Sequence, residues 1–145
     1  MKIALITDQH LDGRKGNINF WNFWQKFYDD VFFPTLEKEG IDTIIDLGDT
    51  FDNRKSMDFN TFNRITENYF EKLKNYKVHM LIGNHCIYYK NTNRINSPEL
   101  LLNQYDNIKI YTESEDIELG GKNFLMLPWI NRENYDEVLE TLNNS

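Results

Sequence analysis

Three short apolar runs, KIALIT (2–7), TIIDL (43–47) and VHMLI (78–82), each break off at turn chemistry, and two long stretches with apolar residues at helical spacing separate them. No other feature restricts the fold so strongly. Runs of this length, rich in β-branched residues and closed by Gly, Asp or Asn, read as buried strands. The first intervening stretch, 19–39, carries Phe20, Phe23, Trp24, Phe27, Val31 and Phe32 on a helical period and stops at Gly40, with Pro34 expected to kink or restart it. The second, 58–74, repeats the pattern with Phe59, Phe62, Ile65, Tyr69 and Leu73. Strand and helix in alternation call for right-handed crossovers and a mostly parallel sheet with helices on both faces, an α/β fold with a βαβαβ start. Ser97, Pro98 and Glu99 then predict an N-capped short helix to about Gln104. Residues 108–111, 116–119 and 122–127 read as strands, the last two a hairpin across Gly120 and Gly121, and a final helix is expected after Asn131.

The 145 residues suit one domain. No segment reaches the roughly 18 apolar residues a membrane helix needs, so no membrane association is expected. The lone Cys86 leaves no internal disulfide, and the run after Met1 is too short for a signal peptide, which together point to the cytoplasm. A net charge of −7 argues against a broad nucleic-acid surface. Local basic pairs remain: Arg14 with Lys15, Arg54 with Lys55, and Lys90 with Arg94, each shortly after a strand end.

Ligands in parallel sheets bind beyond the carboxyl ends of the strands. The first run is followed by Asp8-Gln9-His10, the second by Gly48-Asp49 and Asp52, the third by Gly83-Asn84-His85. In one fold these ends share a rim. Asp8 and His10 can turn toward one cation, Asp49 has two oxygens with which to bridge a pair, and Asn84 supplies a neutral oxygen to the second. Gly48 and Gly83 let the backbone turn sharply before the ligands. Mixed oxygen and nitrogen donors suit manganese or iron, with zinc and magnesium still open.

The order DQH, GDTFD, GNH resembles the first three motifs of the calcineurin-like metallophosphoesterases. GDTFDNRK, IGNHCIYYKNT followed by SPELL, and MLPWI after the hairpin are similar to the SbcD-type DNA repair nucleases, those of T-even-type phages in particular. The resemblance implies a metallophosphoesterase-like sandwich, here incomplete, and a two-metal phosphodiesterase, commonly manganese-dependent. It implies work with an SbcC-type ATPase on DNA ends, in the host cytoplasm if phage-encoded, and homodimerisation through helices of this domain. Matched motif by motif, Asp8 and His10 would hold the first ion, Asp49 would bridge, and Asn84 would hold the second. His85 would then donate a proton to the leaving oxygen, and Asp52 would either orient its ring or cap its own loop. Phosphate contacts fall to Arg14, Arg54, Lys55, Lys90 and Arg94, with Tyr88 or Tyr89 for stacking on a frayed base.

Two departures stand out. Cys86 replaces the acid that usually follows the motif histidine, and is expected to be a small half-buried residue with no ligand role. The family adds histidines from later motifs, whereas this chain has only His10, His79 and His85, and His79 falls inside a strand. Residues 1–145 are therefore expected to be the N-terminal part of a single nuclease domain. Two alternatives stay open: a small-substrate phosphomonoesterase or cyclic-nucleotide phosphodiesterase, and a catalytically incomplete binding or dimerisation domain.

Overall fold

The computed structural model describes all 145 residues. Four strands, β1 (Ile3–Ile6), β2 (Thr43–Asp46), β3 (Lys77–Leu81) and β4 (Ile108–Tyr111), form one sheet in sequence order. Every pairing is parallel, with Ile3 opposite Thr43, Thr43 opposite Lys77 and Val78 opposite Ile108. The three apolar runs thus become adjacent strands, and the run at 108–111 extends the same sheet.

A short turn, α1 (Gly13–Gly16), follows the first strand end and is left-handed at Arg14 (φ 53°) and Lys15 (φ 57°). The first crossover then runs as α2 (Ile18–Phe27), a π-helical turn (Tyr28–Phe32) and α3 (Phe33–Glu39). Helical angles persist at Phe32 and Phe33, so Pro34 does not restart the helix. The widened turn just before it accommodates a ring that offers no N–H. Gly40, at φ 65°, ends the element as its permissive backbone allows. The second crossover is built alike: Asp58 caps α4 (Phe59–Ile65) by accepting from Thr61 N at 2.9 Å, and a π-helical turn (Thr66–Phe70) leads to α5 (Glu71–Leu73).

Strands added in one direction place same-handed crossovers on one face of the sheet. The core follows that rule. Trp21, Tyr28, Leu36, Ile65, Tyr69, Phe70 and Leu73 from the helices pack against Ile44, Val78, Met80 and Ile108 of the strands. Each such burial contributes roughly 1.5–3 kcal/mol, so this layer supplies most of the stability. On the opposite face, Ile45, Leu81 and Tyr111 meet Met126, Ile117 and Phe124 of an antiparallel hairpin, β5 (Glu115–Leu119) and β6 (Lys122–Met126). His79 shares that face, half-buried, its Nδ1 2.7 Å from the Tyr111 hydroxyl, in the strand and not at its end.

The helix α6 (Ser97–Leu102) begins one residue earlier than a cap at Ser97 would require. Asn96, in extended backbone, is the cap instead, its side chain accepting from Glu99 N at 2.9 Å. The last helix, α7 (Tyr135–Asn143), follows the tail of the hairpin. What matters for function is that β1, β2 and β3 end at the same edge.

Candidate metal centre

Backbone hydrogen bonds fasten the first two strand-end loops to each other. Asp8 N donates to Gly48 O at 3.0 Å, His10 N to Asp49 O at 3.0 Å, and Leu11 N to Thr50 O at 2.9 Å. The third loop, whose Asn84–Cys86 segment is a single 3-10 turn, is tied in when His85 N donates to Asp49 Oδ1 at 2.7 Å. The approach is close enough to demand glycine: a Cβ on Gly83 would lie 2.2 Å from Asp49 Oδ1, and one on Gly48 3.0 Å from Gly83 Cα.

Asp8, His10 and Asp49 all have left-handed backbone, at φ 51°, 45° and 53°. A residue with a Cβ pays about 1–2 kcal/mol for that conformation, less for Asp, and such strain concentrates where a site over-determines the chain. Here the three side chains stand near one another. The donor atoms of Asp8, His10 and Asp49 lie within 4.8 Å of one another, and a second set, His10, Asp52 and His85, does so too. His10 belongs to both. Its Nε2 is 3.7 Å from Asp8 Oδ1. Its Nδ1 is buried, and although Asp52 Oδ1 is 3.0 Å away, the nitrogen makes no hydrogen bond.

No lysine or arginine pairs with Asp8, Asp49 or Asp52; Asp8 and Asp52 have histidines alone as ion-pair neighbours. Converging carboxylates without a fixed cation, beside an imidazole nitrogen without a proton partner, suit a divalent ion held by oxygen and nitrogen. The residues present fit such a group, and the set lacks thiolate. Cys86 is fully buried, more so than its sequence context promised; burial pushes its thiol up to about 11, and it belongs to neither donor set.

Two further site residues have specific partners. His85 Nδ1 is 3.1 Å from the Asp52 carbonyl oxygen and 3.8 Å from its carboxylate, so Asp52 does touch His85, chiefly through the main chain. The carboxylate stands nearer His10. Asn84 Oδ1 accepts from Arg54 Nη2 at 2.9 Å.

Two bracing carboxylates escaped the sequence reading. Asp46, fully buried at the end of β2, accepts from Gln9 Nε2 (2.7 Å), Thr50 Oγ1 (2.8 Å) and Gly48 N (3.0 Å), while Tyr28 donates to Gln9 Oε1 at 2.7 Å. Burial raises its carboxyl to about 7, outweighing hydrogen bonds that pull the other way. Its one sequence signal was a carboxylate inside the apolar run TIIDL. Asp12, also buried, accepts from Asp52 N at 2.5 Å and Asn53 N at 3.1 Å, and burial raises its pKa as well. It clamps the loop carrying Asp52.

Among the basic residues, Lys55 Nζ stands 5.5 Å above the Tyr88 ring, and Tyr88 meets Tyr89 edge to face at 4.7 Å. Arg14 covers Phe20 at 5.7 Å, and Lys90 is exposed. Arg94 is engaged elsewhere, 2.9 Å from Glu133.

The profile of the calcineurin-like phosphoesterase family matches residues 1–142. Exonuclease subunit 1 of Enterobacteria phage T4 is 33% identical over 111 residues, covering 75% of this chain and 32% of that protein. The chain thus aligns with a minor part of that relative's length.

Proposed function

The chain belongs to the calcineurin-like phosphoesterase family, hydrolases that bind divalent metals, and from that premise we propose that it is a DNA phosphodiesterase of the SbcD type, cleaving DNA ends in recombination and double-strand-break repair. The convergence of Asp8, His10 and Asp49 on left-handed backbone carries the proposal. Asp8 and His10 would hold one ion, Asp49 would be shared with a second, and Asn84 would reach that second ion, with manganese the metal proposed for both. When bound, such a pair supplies the charge that clamps a phosphate and lowers the pKa of attacking water.

The chain's own part is proton handling and positioning. A carbonyl only accepts, so His85 keeps a proton on Nδ1, toward Asp52 O, and exchanges its other proton at Nε2. That nitrogen is the donor to the departing sugar oxygen. Asp52 fixes the ring from the main chain and sets its carboxylate beside His10. Arg54, Lys55, Lys90 and Arg14 contact phosphates. Arg94 joins them only on leaving Glu133. Tyr88 and Tyr89 stack on a frayed base.

The relative is named as one subunit of an exonuclease, which supports action here with an SbcC-type ATPase partner. No helix is long and apolar enough to cross a membrane. The likeness to a phage protein supports a cytoplasmic placement, in the host cell if the chain is phage-encoded. Self-association through helices of this domain belongs to the same reading.

The decisive experiment is manganese-dependent digestion of linear duplex DNA, compared with hydrolysis of a nitrophenyl phosphodiester. DNA degradation lost in Asp49→Asn is expected. Turnover of the small ester alone favours the small-substrate reading, and absence of both, with no Asp49-dependent manganese binding, favours a non-catalytic domain.

A further inference from the structure

We infer that Arg54 guards the second-ion position: its guanidinium holds the amide oxygen of Asn84 and must release it before an ion is seated there. This rests on Asn84 being a ligand, as proposed above.

The contact is built rather than incidental. Arg54 is half-buried and reaches across 30 residues of sequence to Asn84 Oδ1 at 2.9 Å. The loop that projects it is pinned on both sides: Asp12 accepts from Asp52 N and Asn53 N, and Asn53 Oδ1 accepts from Lys55 N (3.1 Å) and Ser56 N (3.3 Å). Asn84, on the 3-10 turn, is equally fixed, because the next residue's amide is bound to Asp49. A guanidinium is always charged and only donates. Asn84 is neutral and cannot offset the repulsion between Arg54 and a divalent ion at the same oxygen. The two therefore compete.

The first-ion residues, Asp8, His10 and Asp49, have no such rival, since no lysine or arginine pairs with them. Loading is consequently sequential, with the first ion binding freely and the second binding only as Arg54 swings away. Once released, Arg54 has its full set of donors to offer a phosphate oxygen, so occupancy of the second position and anchoring of the substrate become one event.

Calorimetric titration of the whole chain with manganese tests this without reference to activity. Arg54→Ala, and Arg54→Gln in case the truncation perturbs folding, are expected to tighten the weaker of two binding events by about tenfold, or to reveal it where wild type shows one, and to leave the stronger unchanged. Asn84→Ala is expected to weaken that same event. If Asn84→Ala weakens it while both Arg54 variants leave it unaltered or weaker, Arg54 is no guard and Asn84 remains a ligand. If Asn84→Ala changes nothing, the ligand reading itself fails.

Discussion

The backbone amide of His85 donates to the carboxylate of Asp49 at 2.7 Å, and through this bond the third strand-end loop is held to the second. Asp49 thus has a structural duty beside the one proposed for it at the metal. Asp49→Asn keeps an acceptor oxygen and should cost under about 1 kcal/mol of stability, whereas Asp49→Ala strands a half-buried amide and should cost about 1–3 kcal/mol. Both should abolish manganese binding. Denaturant melts and calorimetry on the two variants separate the duties; equal stabilities would show that the bond matters little.

Gly83 is required by space, not by backbone angle. Gly83→Ala puts a methyl 2.2 Å from Asp49 Oδ1 and 2.5 Å from its amide nitrogen, so the two loops must separate. The expected loss is about 1–3 kcal/mol, accompanied by weaker metal binding. Gly40→Ala, where nothing lies within 4 Å but φ is 65°, should cost about 1 kcal/mol and leave metal binding intact.

Asp46 predicts a pH dependence of stability. Its folded-state pKa, about 7, stands above the ordinary 3.8. Below 3.8 the carboxyl is protonated in both states and imposes no penalty. As pH rises from there to about 7 the unfolded chain ionises first and stability falls, on the order of 4 kcal/mol in all, and above that the penalty is complete. Asp46→Asn should flatten this slope in urea melts taken across that range. A slope identical to wild type would assign it to other groups.

His85 and Asp52 should separate in their effects. His85→Gln is expected to lower the rate of DNA hydrolysis by roughly 10²- to 10⁴-fold with manganese affinity preserved. Asp52→Ala keeps the carbonyl that holds His85 but removes the carboxylate 3.0 Å from His10, so the larger loss should be in metal affinity, by about tenfold. A shift in the acidic limb of the pH–rate profile, with affinity unchanged, would instead assign the carboxylate to His85.

The one-dimensional chain was enough to identify the strands, both crossover helices, and the loops bearing Asp8, His10, Asp49, Asn84 and His85, because apolar periodicity and strand-end turn chemistry are local properties. Even the family resemblance lies in three contiguous motifs. It was blind to whatever depends on distance through space. The hairpin covering the second face, the Asp46 and Asp12 braces, the closeness of Asp52 to His10 and the grip of Arg54 on Asn84 all join residues far apart in sequence. The left-handed backbone at His10 was equally hidden, since histidine's modest local tolerance of that region does not single out one position. Only the packing of parallel strand ends, which forces three loops into one small volume, determines which oxygens and nitrogens meet there.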